Sequence, residues 1–144
     1  MKEIRHTGIV VSNMDKSLEF YVGLLGLKIK KDMLEQGAHL DALLALKDVQ
    51  VRTVKMEADD GNLVELLWYT SHPRLPRSPK EICEIGASHV AFTVENLEET
   101  YKRLSERGVV FHCTPQHSPD GKVKVTFCKD PDGTFIELVE QLAC

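Results

Sequence analysis

Apolar and polar residues alternate from Ile4 to Val11, which predicts a strand with one covered face. Ser12 and Asn13 then supply helix-start side chains. Met14, Leu18, Tyr21, Val22 and Leu25 follow at helical spacing, and Gly26 reads as the stop. Strands are predicted at Leu27–Met33, Val49–Met56 and Leu63–Tyr69. The order then recurs. Ser88–Val94 reads as a strand, and Leu97, Tyr101 and Leu104 mark a helix ending near Gly108. Val109–Cys113, Lys122–Phe127 and Thr134–Val139 read as strands. Asp130-Pro131-Asp132-Gly133 predicts a tight turn, with proline pre-setting one backbone angle and glycine tolerating the exit.

The recurrence extends to particular residues. His6-Thr-Gly-Ile-Val-Val-Ser-Asn-Met aligns with His89-Val-Ala-Phe-Thr-Val-Glu-Asn-Leu. Asp60-Gly-Asn-Leu-Val-Glu-Leu-Leu aligns with Asp132-Gly-Thr-Phe-Ile-Glu-Leu-Val. The chain reads as one module used twice. Module one spans about 1–70, a connector about 70–87 and module two about 88–140, together one domain of 144 residues. The segment Thr70–Lys80 lacks an apolar period and carries three prolines and two arginines, as a connector would. Leu34–Leu46 is extra length in the first module. Leu40, Leu43, Leu44 and Leu46 predict a short amphipathic helix, most simply a satellite of the core, alternatively a lid or wall over a cavity.

Strand alternation gives the chemistry its placement. His6 shares a face with Gly8 and Val10, and His89 with Ala91 and Thr93. The opposite faces carry Ile9, Val11, Val90, Phe92 and Val94, which suit packing under helices. Glu65 and Glu137 lie inside apolar strands, where a carboxylate is costly without compensation. Neither strand offers a Lys or Arg on the same face, so a cation must come from elsewhere in the fold. Taken singly, each of the four has a structural explanation: a hydrogen-bonded histidine, or a glutamate facing water. The repetition of His and Glu in both modules favours a shared divalent metal instead. Two imidazoles and two carboxylates suit zinc, nickel, cobalt, manganese or iron(II) alike, and larger coordination numbers leave positions for substrate oxygens.

Composition narrows the classes. A net charge of −4 gives no electrostatic case for nucleic acid or an anionic membrane surface. No apolar run is long enough to span a bilayer, and Met1–Arg5 lacks the apolar stretch of a secretory signal, so a cytoplasmic location is expected. Cys83, Cys113, Cys128 and Cys144 form no CxxC pair and are expected as reduced thiols. His39, His72, His112 and His117 read as surface or loop residues. Arg52, Arg74 and Arg77 could meet an anionic substrate, although solvated positions are the simpler expectation. Trp68 and Tyr69 either line a cavity or pack.

At His6-x-Gly-Ile-Val-Val, Ser17-Leu-Glu-Phe-Tyr-x-x-Leu-Leu-Gly-Leu27, the His89 strand and Asp130-Pro-Asp-Gly-x-x-Ile-Glu-Leu138, the chain resembles the vicinal oxygen chelate superfamily. Glyoxalase I, methylmalonyl-CoA epimerase, extradiol dioxygenases and fosfomycin-resistance proteins belong to it. The resemblance implies an α+β fold of two βαβββ modules whose mixed sheets curl around a central metal. It implies His6, Glu65, His89 and Glu137 as metal ligands, in the order common in glyoxalase I. Glu65 departs from methylmalonyl-CoA epimerase, where glutamine is usual, and the Leu34–Leu46 segment departs from small bacterial glyoxalase I. The implied activity is that of a metal-dependent lyase or isomerase. It would transfer a proton next to a carbonyl through a metal-stabilised enediolate, with Glu137 or Glu65 as base. The alternatives are an epimerase of acyl-CoA or cyclitol-like substrates, a non-catalytic binding or resistance protein, and, less favoured by four ligands, a dioxygenase. The family also implies a small-molecule substrate and a homodimer.

Overall fold

A computed structural model describes residues 1–74 and 81–142. Arg77, Cys144 and the connector residues 75–80 lie outside the described residues. The chain divides into two compact units, Met1–Arg77 and Ser78–Cys144.

The first unit runs β1 (Thr7–Val10), α1 (Met14–Leu18), β2 (Lys28–Gln36), α2 (Ala38–Leu44), β3 (Gln50–Glu57) and β4 (Leu63–Tyr69). Its four strands pair in the order β1-β4-β3-β2. β1 lies parallel to β4, and the other pairs are antiparallel. The second unit runs β5 (His89–Thr93), α3 (Leu97–Glu106), β6 (Gln116–His117), β7 (Val123–Lys129) and β8 (Phe135–Gln141). Its order, β5-β8-β7-β6, repeats the first, with β5 parallel to β8. The α+β architecture of two four-stranded mixed sheets is therefore as expected.

The same devices start the helices in both units. Asn13 Oδ1 accepts from the Lys16 amide at 3.0 Å, and Asn96 Oδ1 from the Glu99 amide at 3.0 Å. Each satisfies a donor the helix leaves unpaired. In the second unit Glu140 on β8 also accepts from the Leu97 amide at 2.8 Å, tying α3 to the sheet. Ile9, Val64, Leu66, Val54 and Met56 form the buried face of the first sheet, under Met14, Phe20 and Tyr21. Ile136, Leu138 and Cys128 do so in the second, where Leu97 and Leu104 of α3 are also buried.

Three expectations need correction. The first helix is α-helical only to Leu18 and then widens to a π-helical run over Glu19–Leu24, where the Leu25 amide reaches the Phe20 carbonyl at 2.9 Å. Phe20 and Tyr21 of this run are both buried in the core. Val109–Cys113 forms no full strand: Phe111 bridges Cys128 alone. The Cys113 carbonyl accepts from Thr126 Oγ1 at 2.7 Å, and Pro115, which lacks an amide hydrogen, breaks the ladder. Finally, α2 forms but buries none of its residues, so it is no satellite of the core. It is tied down from its polar side, where the Asp41 carboxylate accepts from the Asp48 and Val49 amides at 3.0 and 2.9 Å.

Candidate metal centre

The hairpin turns deliver the glutamates. In the second unit the Asp130 amide donates to the Thr134 carbonyl and the Gly133 amide to the Asp130 carbonyl, both at 3.0 Å. Gly133 takes φ 86°, a left-handed value that favours glycine. Asp130 Oδ1 also accepts from the Asp132 and Thr134 amides, at 2.9 and 2.8 Å. The first unit makes the same backbone turn with Ala58 in place of Asp130, through Ala58 to Asn62 and Gly61 to Ala58. There Asp60 Oδ1 takes the Asn62 amide instead, at 2.9 Å. Each turn feeds a strand whose third residue is the glutamate.

In each unit that glutamate meets the histidine of the parallel neighbour strand. His6 Nε2 stands 3.0 Å from Glu65 Oε2, and His89 Nε2 stands 3.1 Å from Glu137 Oε2. The two pairs differ in surroundings. Glu65 is buried at 8% exposure, and Lys55 Nζ lies 3.4 Å from its Oε1. Lys55 is the cation that the strand sequence alone does not offer; it comes from β3, in register with Glu65. Glu137 is more open, its side chain 23% exposed, and its register partner on β7 is Phe127. The Phe127 ring stands edge-on to His89, with centroids 5.3 Å apart.

The donor atoms fit a divalent ion. Two ligands about 2.1 Å from one ion and at right angles to each other are about 3.0 Å apart, as both pairs are. His6 Nδ1 is buried with no hydrogen-bond partner among the described residues. Among the described residues no group of three or more His, Cys, Asp or Glu stands at metal-binding geometry.

Other sequence candidates fall away from the pairs. Arg52 lies on the opposite face of its sheet from Lys55 and holds Asp32 through two hydrogen bonds, at 3.0 and 2.7 Å. Those bonds lower the Asp32 carboxyl below its ordinary range. Arg74 is exposed, as are His39, His112 and His117, while His72 bonds Ser71 Oγ at 2.8 Å. Tyr69 shares the Glu65 face, and Trp68 the opposite one. The residue that sequence reasoning missed is Lys55.

A repeated βαβββ unit with a His–Glu pair on adjacent parallel strands defines a class of small-molecule-binding proteins whose members commonly hold a divalent metal. Residues 3–138 match the family model of the Glyoxalase/Bleomycin resistance protein/Dioxygenase superfamily, and the chain belongs to that superfamily. Lactoylglutathione lyase of Schizosaccharomyces pombe is 31% identical over 96% of this chain; the chain spans about half of that enzyme, 47% of its length. A glyoxalase family protein from Bacillus cereus has the same fold, with a TM-score of 0.89 at 22% identity, covering 99% of this chain and 96% of that one. The fosfomycin resistance protein FosX from Listeria monocytogenes, solved with manganese(II) and sulfate, aligns with a TM-score of 0.64 at 12% identity, covering 99% and 94%. Among the described residues no helix is long and apolar enough to cross a membrane.

Proposed function

We propose that His6, Glu65, His89 and Glu137 together hold one divalent ion, and that the protein is a lyase or isomerase of glyoxalase I type acting on a small molecule. The carrying observation is the same His–Glu pair, at 3.0 and 3.1 Å, on matching strands of both units. The ion would draw charge from two adjacent substrate oxygens and so ease loss of the proton between them. The chain's part is to bind, to orient and to move that proton. Glu65, with Lys55 against its Oε1, serves as the fixed ligand. Glu137 is more exposed and lacks a cross-strand cation, which suits the base that takes the proton and returns it to the neighbouring carbon. The chain works as a homodimer in this reading, in the cytoplasm.

One observation favours a second reading, a metal-free binding protein: Lys55 already gives Glu65 a counter-charge. Calorimetric titration of chelator-stripped protein with nickel and zinc separates the two. The metal reading expects one ion per four-ligand set, with binding lost in His6→Ala and Glu137→Ala. Folded protein that binds neither ion rules it out. A Glu137→Gln variant should keep its fold and lose about 10²–10⁴-fold in turnover of 2-oxoaldehyde–thiol adducts or epimerisable acyl or cyclitol substrates. Near-normal turnover would remove Glu137 as base.

A further inference from the structure

The register of the first sheet aligns Lys31 on β2, Lys55 on β3, Glu65 on β4 and Gly8 on β1 in one row. Lys55 stands beside the proposed ligand carboxylate, and Lys31 lies one strand further out, next to the register shift between Ile29 and Lys31. The matching row of the second sheet is Phe127, Glu137 and Ala91, with no cation. The two units agree in histidine, glutamate, helix cap and turn, yet differ here.

A structural role for Lys55, offsetting the charge of Glu65, leaves part of this row unexplained. Lys31 stands directly opposite Lys55, and like charges so placed are destabilising. Lys31 makes no ion pair among the described residues. The acids nearby on this sheet are engaged elsewhere: Glu57 pairs with Lys30 at 3.0 Å, and Glu35 accepts from Thr53 Oγ1 at 2.7 Å. The row therefore holds an excess of positive charge. Metal binding sharpens it. A divalent ion and two glutamates cancel formally, which leaves the Lys55 charge over, in a position only 26% exposed. A neutral substrate would leave that charge unbalanced where water is partly excluded, at a free-energy cost. A singly charged carboxylate would balance it.

We propose that Lys55, backed by Lys31, recognises an anionic group, and that the substrate is a small carboxylate carrying an adjacent carbonyl or hydroxyl oxygen. The proposal rests on the reading of Glu65 as part of the binding centre and gives that centre a substrate class.

Pyruvate and hydroxyacetone test it. Both have three carbons and adjacent oxygens, and only pyruvate is charged. Their binding to the full-length protein is measured by ligand-observed NMR, zinc-loaded and metal-free, in wild type, Lys55→Met, Lys55→Arg and Lys31→Met. Wild type should prefer pyruvate. Lys55→Met should weaken pyruvate about tenfold or more while hydroxyacetone changes by less than about twofold. Lys55→Arg should restore most of the loss, and exposed Lys31 should contribute about two- to threefold. Lys55→Gln is read in the same way if Lys55→Met does not fold. Equal pyruvate affinity in wild type and a folded Lys55 variant overturns the proposal. Zinc titration of the same samples keeps the two ideas apart. Zinc binding without Lys55-dependent pyruvate binding leaves the metal centre and removes this inference. Lys55-dependent pyruvate binding without zinc binding does the reverse. Loss of both removes both.

Discussion

Replacing Asp130 by alanine should destabilise the second unit without changing its turn. The backbone can make this turn with alanine, because Ala58 does so in the first unit through the same pair of bonds. What Asp130→Ala removes is a carboxylate, 5% exposed, that accepts from the Asp132 and Thr134 amides at 2.9 and 2.8 Å. Hydrogen bonds to a charged acceptor contribute about 1.5–3 kcal/mol each. Both amides belong to half-buried residues, so water recovers part of that loss. Removing a buried charge also returns its desolvation cost. The balance is a loss of about 2–3 kcal/mol, or a fall in Tm of about 4–12 °C for a chain of this size. Urea and thermal melts followed by circular dichroism measure it. Asp130→Asn, which keeps an acceptor oxygen, should recover more than half. A loss below about 0.5 kcal/mol with an unchanged m-value would refute the reasoning, because it would mean that the two amides never depended on the carboxylate.

Further outcomes follow from burial and charge. Leu66→Ala, at a fully buried position of β4, should cost about 2–5 kcal/mol in urea melts, whereas Leu43→Ala on the 69% exposed face of α2 should stay within about 0.5 kcal/mol. Burial, and then the charge of Asp130, push the Cys128 thiol up to about 12. At pH 8 a thiol reagent should therefore modify exposed Cys83 and Cys113 and reach Cys128 only in denaturant, as peptide mapping would show. The raised value also sets a sign: the protonated thiol's contribution to stability is present below about pH 9 and is lost as pH rises towards 12, so wild type should lose more stability across that window than Cys128→Ala. Gly8→Val should lower Tm in thermal melts, because an added Cβ already meets Leu67 Cδ1 at 3.3 Å and the two further carbons must displace that side chain.

Much of this architecture was legible because its signals are local. Period-two alternation, the Asn13 and Asn96 caps and the two Asp-Gly turns each act over a few residues, so they placed β4 with its observed ends and paired each histidine with its glutamate. The failures share one cause, which is interaction across strands or between layers. The π-helical run over Glu19–Leu24, with Phe20 and Tyr21 buried against the sheet, leaves no mark in the local apolar spacing. The β propensity of Val109–Cys113 is overridden by Thr126 and Pro115, neither of which lies within that segment. The leucines of α2 form a helix whose apolar face finds no core.

Lys55 is the instructive case, because its contact was recoverable. A hairpin turn fixes antiparallel register, so residues equally far from the turn face each other. The turn at Asp60-Gly61 therefore sets Lys55 against Glu65, and the turn at Asp132-Gly133 sets Phe127 against Glu137, as observed. The offset that maps Asp60 onto Asp132 also maps Lys55 onto Phe127. Searching only along the Glu65 strand for a counter-charge missed the strand beside it. Across the turn, the uncharged Phe127 of the second unit stands where the first has Lys55. The repeat accounts for a histidine and a glutamate in both modules, and the departure from it at Lys55 is the observation on which the proposed choice of ligand rests.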